Sequence, residues 1–203
     1  MIRRVKKLPE VLEPEEVERL LAVPDKRYIS GIRNKAVLSL MVNMGLRVSE
    51  VCNLKPGDIN LTKRKLRIVQ GKGGVDRDLM IGLYTTELLR AWKELKPKNT
   101  EYFFTTIRNR KEGIFATKKG KKLSARNISL TLKGYVKRAR IDKNVSPHTL
   151  RHTFATNFIR QNGNVMNLMR ILGHADISTT QIYVTLANKD VENAMENFIE
   201  FKI

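Results

Sequence analysis

The sequence predicts an α+β fold that is mostly helical and carries one small antiparallel sheet. Apolar residues recur at helical spacing over much of the 203-residue chain. One zone of short alternating segments interrupts this pattern, and it contains a glycine-rich stretch suited to a hairpin. No internal repeat, low-complexity tract or linker divides the sequence, so we expect residues 1–203 to form a single domain.

The N-terminal part predicts three helices. Pro14 suits the first turn of a helix over EEVERLLAV, which Pro24 ends. Residues 29–44 are largely apolar, as in a buried helix, and Gly45 suits its C-terminal cap. A short helix, VSEVCNL, is predicted from Val48.

The predicted strands follow a turn over residues 55–58. They are DINL, KLRIV and VDRDLMI, three short segments of β-type pattern. Residues 70–74, QGKGG, predict the hairpin tip between the last two strands. Helix returns over residues 84–95, and EYFFTT predicts one further short strand.

The C-terminal half predicts helices throughout. Ser124 suits the cap of a helix that ends near residue 140, and Ser146-Pro147 is a strong start for the next. A helix over Val165–Leu172 and a short helix around residue 183 follow. The tail, NKDVENAMENFIEFKI, predicts an amphipathic helix that packs on its own domain or on a neighbouring protomer.

The composition indicates a soluble protein with a polyanionic partner. The chain has 41% apolar residues, and 39 Lys+Arg against 20 Asp+Glu give a formal net charge of +19. Nucleic acid is the commonest partner for such a surplus. An anionic membrane is the rival, but no apolar run approaches the ~20 residues needed to span a bilayer. We see no signal peptide, and Cys52 is the only cysteine, so we expect a cytoplasmic protein without a disulfide.

A basic stretch over residues 107–122 has no clear periodicity. It is interpreted either as a solvated loop or as a segment that contacts phosphates. The basic residues considered for DNA binding are Arg108, Arg110, Lys111, Lys118, Lys119, Lys121 and Lys122.

The most informative stretch is SPHTLRHTFATNFIRQNGNVMNLMRILGHADISTTQIY. His148 and Arg151 lie three residues apart on a predicted helix and therefore share a face. His174 and Tyr183 follow. A base, a guanidinium group, a second imidazole and a phenol in a very basic protein suggest phosphodiester chemistry with a tyrosine nucleophile. His152 faces another direction on the helix and is interpreted as a packing residue or a support for the site.

Four segments together resemble the catalytic domain of the tyrosine recombinases, the phage-integrase family, and especially its Xer-like branch. They are GLRVSEVCNL, the GKGG hairpin, SPHTLRHTFAT and LGHADISTTQIY, in the family's order and over essentially the whole chain. The resemblance implies a site-specific recombinase that joins DNA without metal, ATP or another cofactor. It also implies a Holliday-junction intermediate in a homotetramer on double-stranded DNA, with the C-terminal helix exchanged between subunits.

The resemblance also implies the catalytic roles. Tyr183 would attack the scissile phosphate and give a 3′-phosphotyrosyl enzyme. Arg47 and Arg151 would hold the non-bridging oxygens, and Lys72 would protonate the leaving 5′-oxygen. His148 would serve as general base or proton shuttle. The two remaining residues are His174, expected to hydrogen-bond the phosphate, and Glu50, expected to orient the first arginine.

Several alternatives stay open. The family's N-terminal core-binding domain has no counterpart here, so the chain is either a catalytic fragment or a natural single-domain relative. We then expect DNA binding that is weaker and more sensitive to salt than that of a two-domain relative. A type IB topoisomerase-like nicking and closing enzyme would use the same chemistry. A DNA-binding module without activity would have to keep six chemical positions for no reason, and a metal-dependent nuclease would need clustered carboxylates near the histidines.

Overall fold

Helices make up most of the described chain in the computed structural model, which covers residues 9–69, 76–107, 120–174 and 180–188. The α+β class predicted from the sequence is confirmed. The helices are α1 (Pro14–Ala22), α2 (Ile29–Met44), α3 (Val48–Asn53), α4 (Leu83–Leu95), α5 (Ala125–Arg138), α6 (Pro147–Arg160), α7 (Val165–Leu172) and α8 (residues 180–188). The strands are β1 (Ile59–Asn60), β2 (Lys65–Ile68) and β3 (Arg77–Met80).

Helix α2 is the centre of the core. Every residue from Ala36 to Val42 is buried, and the helix packs against α1, α3, α4 and α6. Met41 and Leu40 are fully buried, as is Trp92 on α4. A helical stretch that is buried on every side belongs in the interior, which agrees with the largely apolar sequence of these residues. Gly45 ends α2 with a left-handed φ of 66°, as predicted.

The sheet is antiparallel with the order β1-β2-β3. Along β2, Leu66 and Ile68 are buried while their neighbours are exposed, and Leu66 pairs with Leu79 of β3. This alternation with period two places one face of the sheet on the core. Strand β3 also contacts α7, so the sheet reaches the part of the fold that carries the C-terminal motifs.

The predicted strand EYFFTT is wrong. Residues 101–104 form bends, and within the segment only Thr105 makes a β-bridge, to Lys122. The backbone N–H of Phe103 donates to the carbonyl of Leu54, and its carbonyl accepts from the Trp92 indole. Beyond these two contacts, the segment pairs only briefly with residues 121–123, where the N–H of Leu123 donates to the carbonyl of Phe104. The predicted turn at residues 55–58 is a single 3₁₀ turn, Pro56–Asp58.

Helices α6, α7 and α8 enclose a second, smaller apolar cluster. Its buried members are Ala155, Leu168, Leu172 and Tyr183. Phe154 and Phe158 of α6 pack against it. Helix α8 is thereby fixed onto α6 and α7. Within the described residues, no helix is long and apolar enough to cross a membrane.

Candidate active site

Arg47 occupies the N-cap of α3, where Glu50 holds it twice. The backbone N–H of Arg47 donates to Oε2 of Glu50 at 2.7 Å, and its Nη1 donates to Oε1 at 3.1 Å. A glutamate at the third position of a helix commonly reaches back to the N-cap in this way. The side chain of Arg47 is one-third exposed while that of Glu50 is buried. The guanidinium of Arg47 is therefore partly exposed, while its hydrogen bonds to the buried Glu50 fix its position.

Arg77 of β3 forms a buried ion pair with the same carboxylate. Its Nη2 lies 3.0 Å from both oxygens of Glu50, and its Nε donates to the carbonyl of Ile171 at 2.6 Å. The side chain is only 7% exposed. Burial is the main reason that the pKa of Arg77 lies below its ordinary value, and Glu50 opposes this shift. Arg77 thus ties the sheet to both α3 and the end of α7.

Arg151 of α6 is held at the C-terminal ends of two helices. Its Nη1 donates to the carbonyl of Gly45 at 2.6 Å, and its Nη2 donates to the carbonyl of Leu172 at 2.7 Å. The last carbonyls of a helix have no partner inside it and carry partial negative charge. They therefore suit a buried cation. Burial, and next the charge of Arg47, lower the pKa of Arg151 to about 10, so it is protonated at neutral pH.

His174 follows α7 and lies beside Arg151. Its Nε2 is 3.1 Å from Nη2 of Arg151, and its Nδ1 is 3.0 Å from Oγ1 of Thr180. Arginine has no acceptor atom, so Nε2 must accept, and the ring proton lies on Nδ1 facing Thr180. Burial, followed by the charges of Arg151 and Arg47, lowers the pKa of His174 to about 4. The ring is neutral, and donation from Nε2 to a phosphate would require another tautomer.

The site has an excess of positive charge. The guanidinium groups of Arg47, Arg77 and Arg151 gather around one carboxylate, Glu50, with the Nη1 of Arg151 at 3.9 Å from it. One negative charge cannot neutralise three positive charges, and the adjoining His174 is neutral. Such a cluster binds anions, and planar guanidinium groups match the geometry of phosphate.

Tyr183 lies on α8 with its side chain buried, and His152 of α6 contacts its hydroxyl. The hydroxyl oxygen is 3.0 Å from Nδ1 of His152, and the rings are 5.7 Å apart. Burial raises the pKa of the Tyr183 phenol, although Arg151 and Arg47 act in the opposite direction. The phenol is therefore protonated in this state and needs a proton acceptor before it can serve as a strong nucleophile.

The structure brings together most of the residues predicted from the sequence. Arg47, Glu50, Arg151 and His174 form one connected group, and the charges of both arginines act on Tyr183. His148 lies one turn before His152 on α6 and is exposed. Within the described residues, it makes no hydrogen bond to Tyr183.

Several of the remaining predicted residues lie outside the described part of the chain. Lys72 lies outside the described residues, as do Arg108, Arg110, Lys111, Lys118 and Lys119. Lys121 and Lys122 are exposed just after that gap. The ammonium of Lys122 bonds the side chain of Asn53 at the end of α3 and lies over the ring of Tyr102.

Sequence reasoning missed Arg77, Thr180 and the contact of His152 with Tyr183. The interpretation of His152 as a packing or supporting residue used only its angle from Arg151. A signal was present, because His152 is four residues after His148 and shares that helix face. Arg77 gave no comparable signal among 39 basic residues. Among the described residues, no group of three histidine, cysteine or acidic side chains is arranged to hold a metal ion.

Residues 10–190 match the model of the phage integrase family. The tyrosine recombinase XerA of Thermococcus kodakarensis is 36% identical over 190 residues, which is 93% of this chain and 62% of that protein. The chain thus spans about three-fifths of the length of the curated relatives that it matches.

Solved structures give the same result. A crystal structure of XerA recombinase superposes with a TM-score of 0.77 at 29% identity, covering 95% of this chain and 67% of that one. The XerH site-specific recombinase, in a post-cleavage complex with a palindromic difH substrate, superposes with a TM-score of 0.76 at 26% identity, covering 94% and 54%. From the family model, the relatives and the arrangement of the site together, it follows that this chain belongs to the phage integrase family of tyrosine recombinases.

Proposed function

We propose that this chain is the catalytic domain of a site-specific DNA recombinase that cleaves and rejoins DNA through a covalent bond to Tyr183. The observation that carries the proposal is the cationic group of Arg47 and Arg151 whose charges act on a tyrosine hydroxyl. A phosphate held by the two arginines would be the electrophile, and the phenol the nucleophile. The DNA-bound recombinases among the similar structures support DNA as the substrate.

The arginines bind and activate the phosphate in this proposal. Arg47 presents its guanidinium from the surface, while Arg151 is fixed by two backbone carbonyls and so keeps its position when substrate arrives. Donors fixed in advance stabilise developing negative charge without the cost of reorganisation, and one such donor is often worth ~3 kcal/mol. Glu50 positions Arg47 and touches no substrate.

The covalent step is a transesterification. The Tyr183 oxygen forms a bond to phosphorus as the bond from phosphorus to the 5′-oxygen breaks, and that oxygen leaves as a hydroxyl after taking a proton from Lys72. The product is a 3′-phosphotyrosyl bond. Because this ester conserves the free energy of the original bond, a 5′-hydroxyl of another strand can reverse the step without an energy source. Tyr183 is 2% exposed, so the phenol must become accessible when DNA binds.

The partner and the assembly follow from the same proposal. Double-stranded DNA accounts for the net charge of +19, with Lys121 and Lys122 among the proposed phosphate contacts. Two strand exchanges require four active sites, so we propose a homotetramer on DNA. The apolar stripe of the tail, from Val191 to Ile199, is the proposed contact between subunits. These tail residues lie outside the described part of the chain.

The test is capture of the covalent intermediate. A pool of nicked duplexes with random sequence is incubated with the protein, so that the short strand beyond the cut diffuses away and traps the adduct. Denaturing electrophoresis should show a protein–DNA band for the wild-type chain, and Tyr183→Phe should show none. Sequencing of the captured DNA gives the preferred site.

Further variants separate the proposed recombinase from other functions. Tyr28→Phe, at an exposed tyrosine far along the chain from Tyr183, is the matched control and should keep the band. Strand exchange between two labelled copies of the captured site supports a recombinase. Relaxation of supercoiled plasmid without strand exchange would support a nicking and closing enzyme instead. A wild-type protein that binds DNA but never forms the adduct would contradict both enzymatic functions.

A further inference from the structure

The hydroxyl of Tyr183 has one hydrogen-bond partner within the described residues, and it is not the histidine that the motif suggests. Nδ1 of His152 lies 3.0 Å from the hydroxyl oxygen. His148, the predicted base, is exposed one turn earlier on α6. A proton acceptor must be within hydrogen-bonding reach of the proton that it takes, which is about 2.6–3.2 Å between heavy atoms. His152 meets this requirement in the resting structure.

The chemistry of the pair favours donation from the phenol. A phenol is a stronger hydrogen-bond donor than a neutral imidazole N–H, which favours the tautomer of His152 in which Nδ1 accepts from the Tyr183 hydroxyl. Burial, followed by the charges of His148 and Arg151, lowers the pKa of His152. The imidazole is therefore neutral at neutral pH and has a free electron pair for the incoming proton.

The contact belongs to one packed unit of the fold. Tyr183 is buried in the cluster that α6, α7 and α8 enclose, and Leu186, one turn further along α8, packs against the same cluster. His152 projects from α6 next to Arg151, a proposed phosphate ligand. The proton acceptor, the nucleophile and one phosphate-binding arginine are thus held by the same packed helices. The proton acceptor and the nucleophile are therefore in contact before substrate binds.

We propose that His152 is the general base that accepts the proton of Tyr183 during DNA cleavage, an inference that rests on the proposed function. As the Tyr183 oxygen bonds to phosphorus and the 5′-oxygen departs with a proton from Lys72, the phenol proton moves to Nδ1 of His152. In the reverse step, His152 returns that proton to the tyrosine oxygen, which is now the leaving group.

The proposal predicts a specific pH dependence. The groups that face His152 are His148 and Arg151 on its own helix, Tyr183 on α8, and His174, on whose pKa His152 has an effect. Protonation of His152 in acid removes its acceptor, so the cleavage rate should fall in acid, at a pH below the ordinary pKa of histidine. Replacement of His152 should remove that limb of the profile, and replacement of His148 should not.

The experiment measures single-turnover cleavage of the nicked duplex captured by the wild-type chain. His152→Asn keeps a short polar side chain that accepts a hydrogen bond but cannot take a proton, and His152→Phe keeps a ring of similar shape. General base catalysis contributes about 100-fold or more, so both variants should be slowed about 100-fold. A 5′-bridging phosphorothiolate, whose sulfur leaves without a proton, should rescue Lys72→Ala and leave both His152 variants slow.

The outcomes distinguish the possible roles. If His152 only holds the phenol in place, His152→Asn will cleave as fast as the wild-type chain, and that result overturns the proposal. Rescue of the His152 variants by the phosphorothiolate would also overturn it, because it would assign His152 to the leaving group. If the His152 variants fail to fold, as judged by circular dichroism, the pH profile of His148→Asn tests the same step, and loss of the acid limb in that variant overturns the proposal. A wild-type chain that forms no adduct overturns the proposed function itself and the inference with it.

Discussion

Arg77 and Glu50 form the buried ion pair that underlies the cationic site. One guanidinium nitrogen of Arg77 lies 3.0 Å from each carboxylate oxygen, and both side chains are 7% exposed. The same two carboxylate oxygens also accept hydrogen bonds from Arg47. A single carboxylate thus links a strand residue inside the protein to an arginine at its surface. The position of the proposed phosphate ligand depends on a residue that never reaches the phosphate.

Removal of Arg77 should be costly. Arg77→Met keeps much of the volume but removes the buried guanidinium closest to Glu50 and frees the carbonyl of Ile171. Breaking a buried ion pair from one side typically costs 3–5 kcal/mol, so we expect the free energy of unfolding to fall by about that amount. Urea denaturation measures this loss of stability. Adduct formation should also fall, because Glu50 would no longer be fixed in the position from which it holds Arg47.

A second arginine in the same sheet provides the control. Arg67 of β2 forms an exposed pair with Asp76 at 3.4 Å, and its side chain is 64% exposed. Exposed pairs contribute about 0–1 kcal/mol, so Arg67→Met should hardly change the unfolding curve. Equal losses in Arg67→Met and Arg77→Met would show that burial of the pair is not what stabilises this region.

Gly45 should tolerate no side chain. Its φ is +66°, and a Cβ there would lie 2.4 Å from Cδ1 of Phe154 and 2.9 Å from Cδ2 of Leu172. The left-handed conformation costs ~1–2 kcal/mol for other residues, and overpacking costs ~1–3 kcal/mol. We expect Gly45→Ala to lower the free energy of unfolding by at least ~2 kcal/mol. Because the Gly45 carbonyl holds Arg151, the variant should also form less adduct.

The opposite result is expected at Gly134. It lies on the exposed side of α5, and a Cβ there would meet nothing within 4 Å. Alanine in an exposed helix interior is more favourable than glycine by ~0.5–1 kcal/mol, so Gly134→Ala should raise the midpoint of urea denaturation. Loss of stability in both alanine variants would mean that the contacts of Gly45 are not the cause.

Stability should fall in acid partly because of His174. Its pKa is about 4 in the folded chain and near 6.5 when unfolded. Between these values the unfolded state binds more protons, so the contribution of His174 is fully present above pH 6.5 and is lost as the pH falls toward 4. His174→Gln cannot titrate. The difference in denaturation midpoint between wild type and this variant should therefore shrink across that window, and parallel pH curves would contradict the assignment.

Predictions from the sequence succeeded where a local signal decides the structure. Ser146 caps α6 through a hydrogen bond to the N–H of Thr149, and Gly45 ends α2, as expected from short-range chemistry. The segment EYFFTT gave a strand-like pattern, but its conformation is set by contacts with Leu54 and Trp92, which are distant in sequence. Local reasoning cannot detect such contacts.

The same limit applied to the site. Residues within recognisable motifs, such as Arg47 and Glu50, are linked by a helix turn, so their contact follows from spacing. The Arg77–Glu50 pair joins residues 27 positions apart, and the His152–Tyr183 contact joins α6 to α8. Both depend on how helices and sheet pack together. Spacing along the chain therefore predicts contacts within one motif better than contacts between elements that are distant in sequence.

Binding to DNA should depend steeply on salt through the lysines that flank the basic stretch. The logarithm of the binding constant falls linearly with the logarithm of salt concentration, with a slope of about 0.9 per phosphate contact. Exchange of Lys121 and Lys122 for glutamine should reduce the slope by about 2. The matched control exchanges Lys93 and Lys98, two exposed lysines on and just after α4, and removes the same charge. If both double variants change the slope equally, net charge and not local contact governs binding. A slope unchanged in the Lys121 and Lys122 variant would place the phosphate contacts elsewhere on the protein.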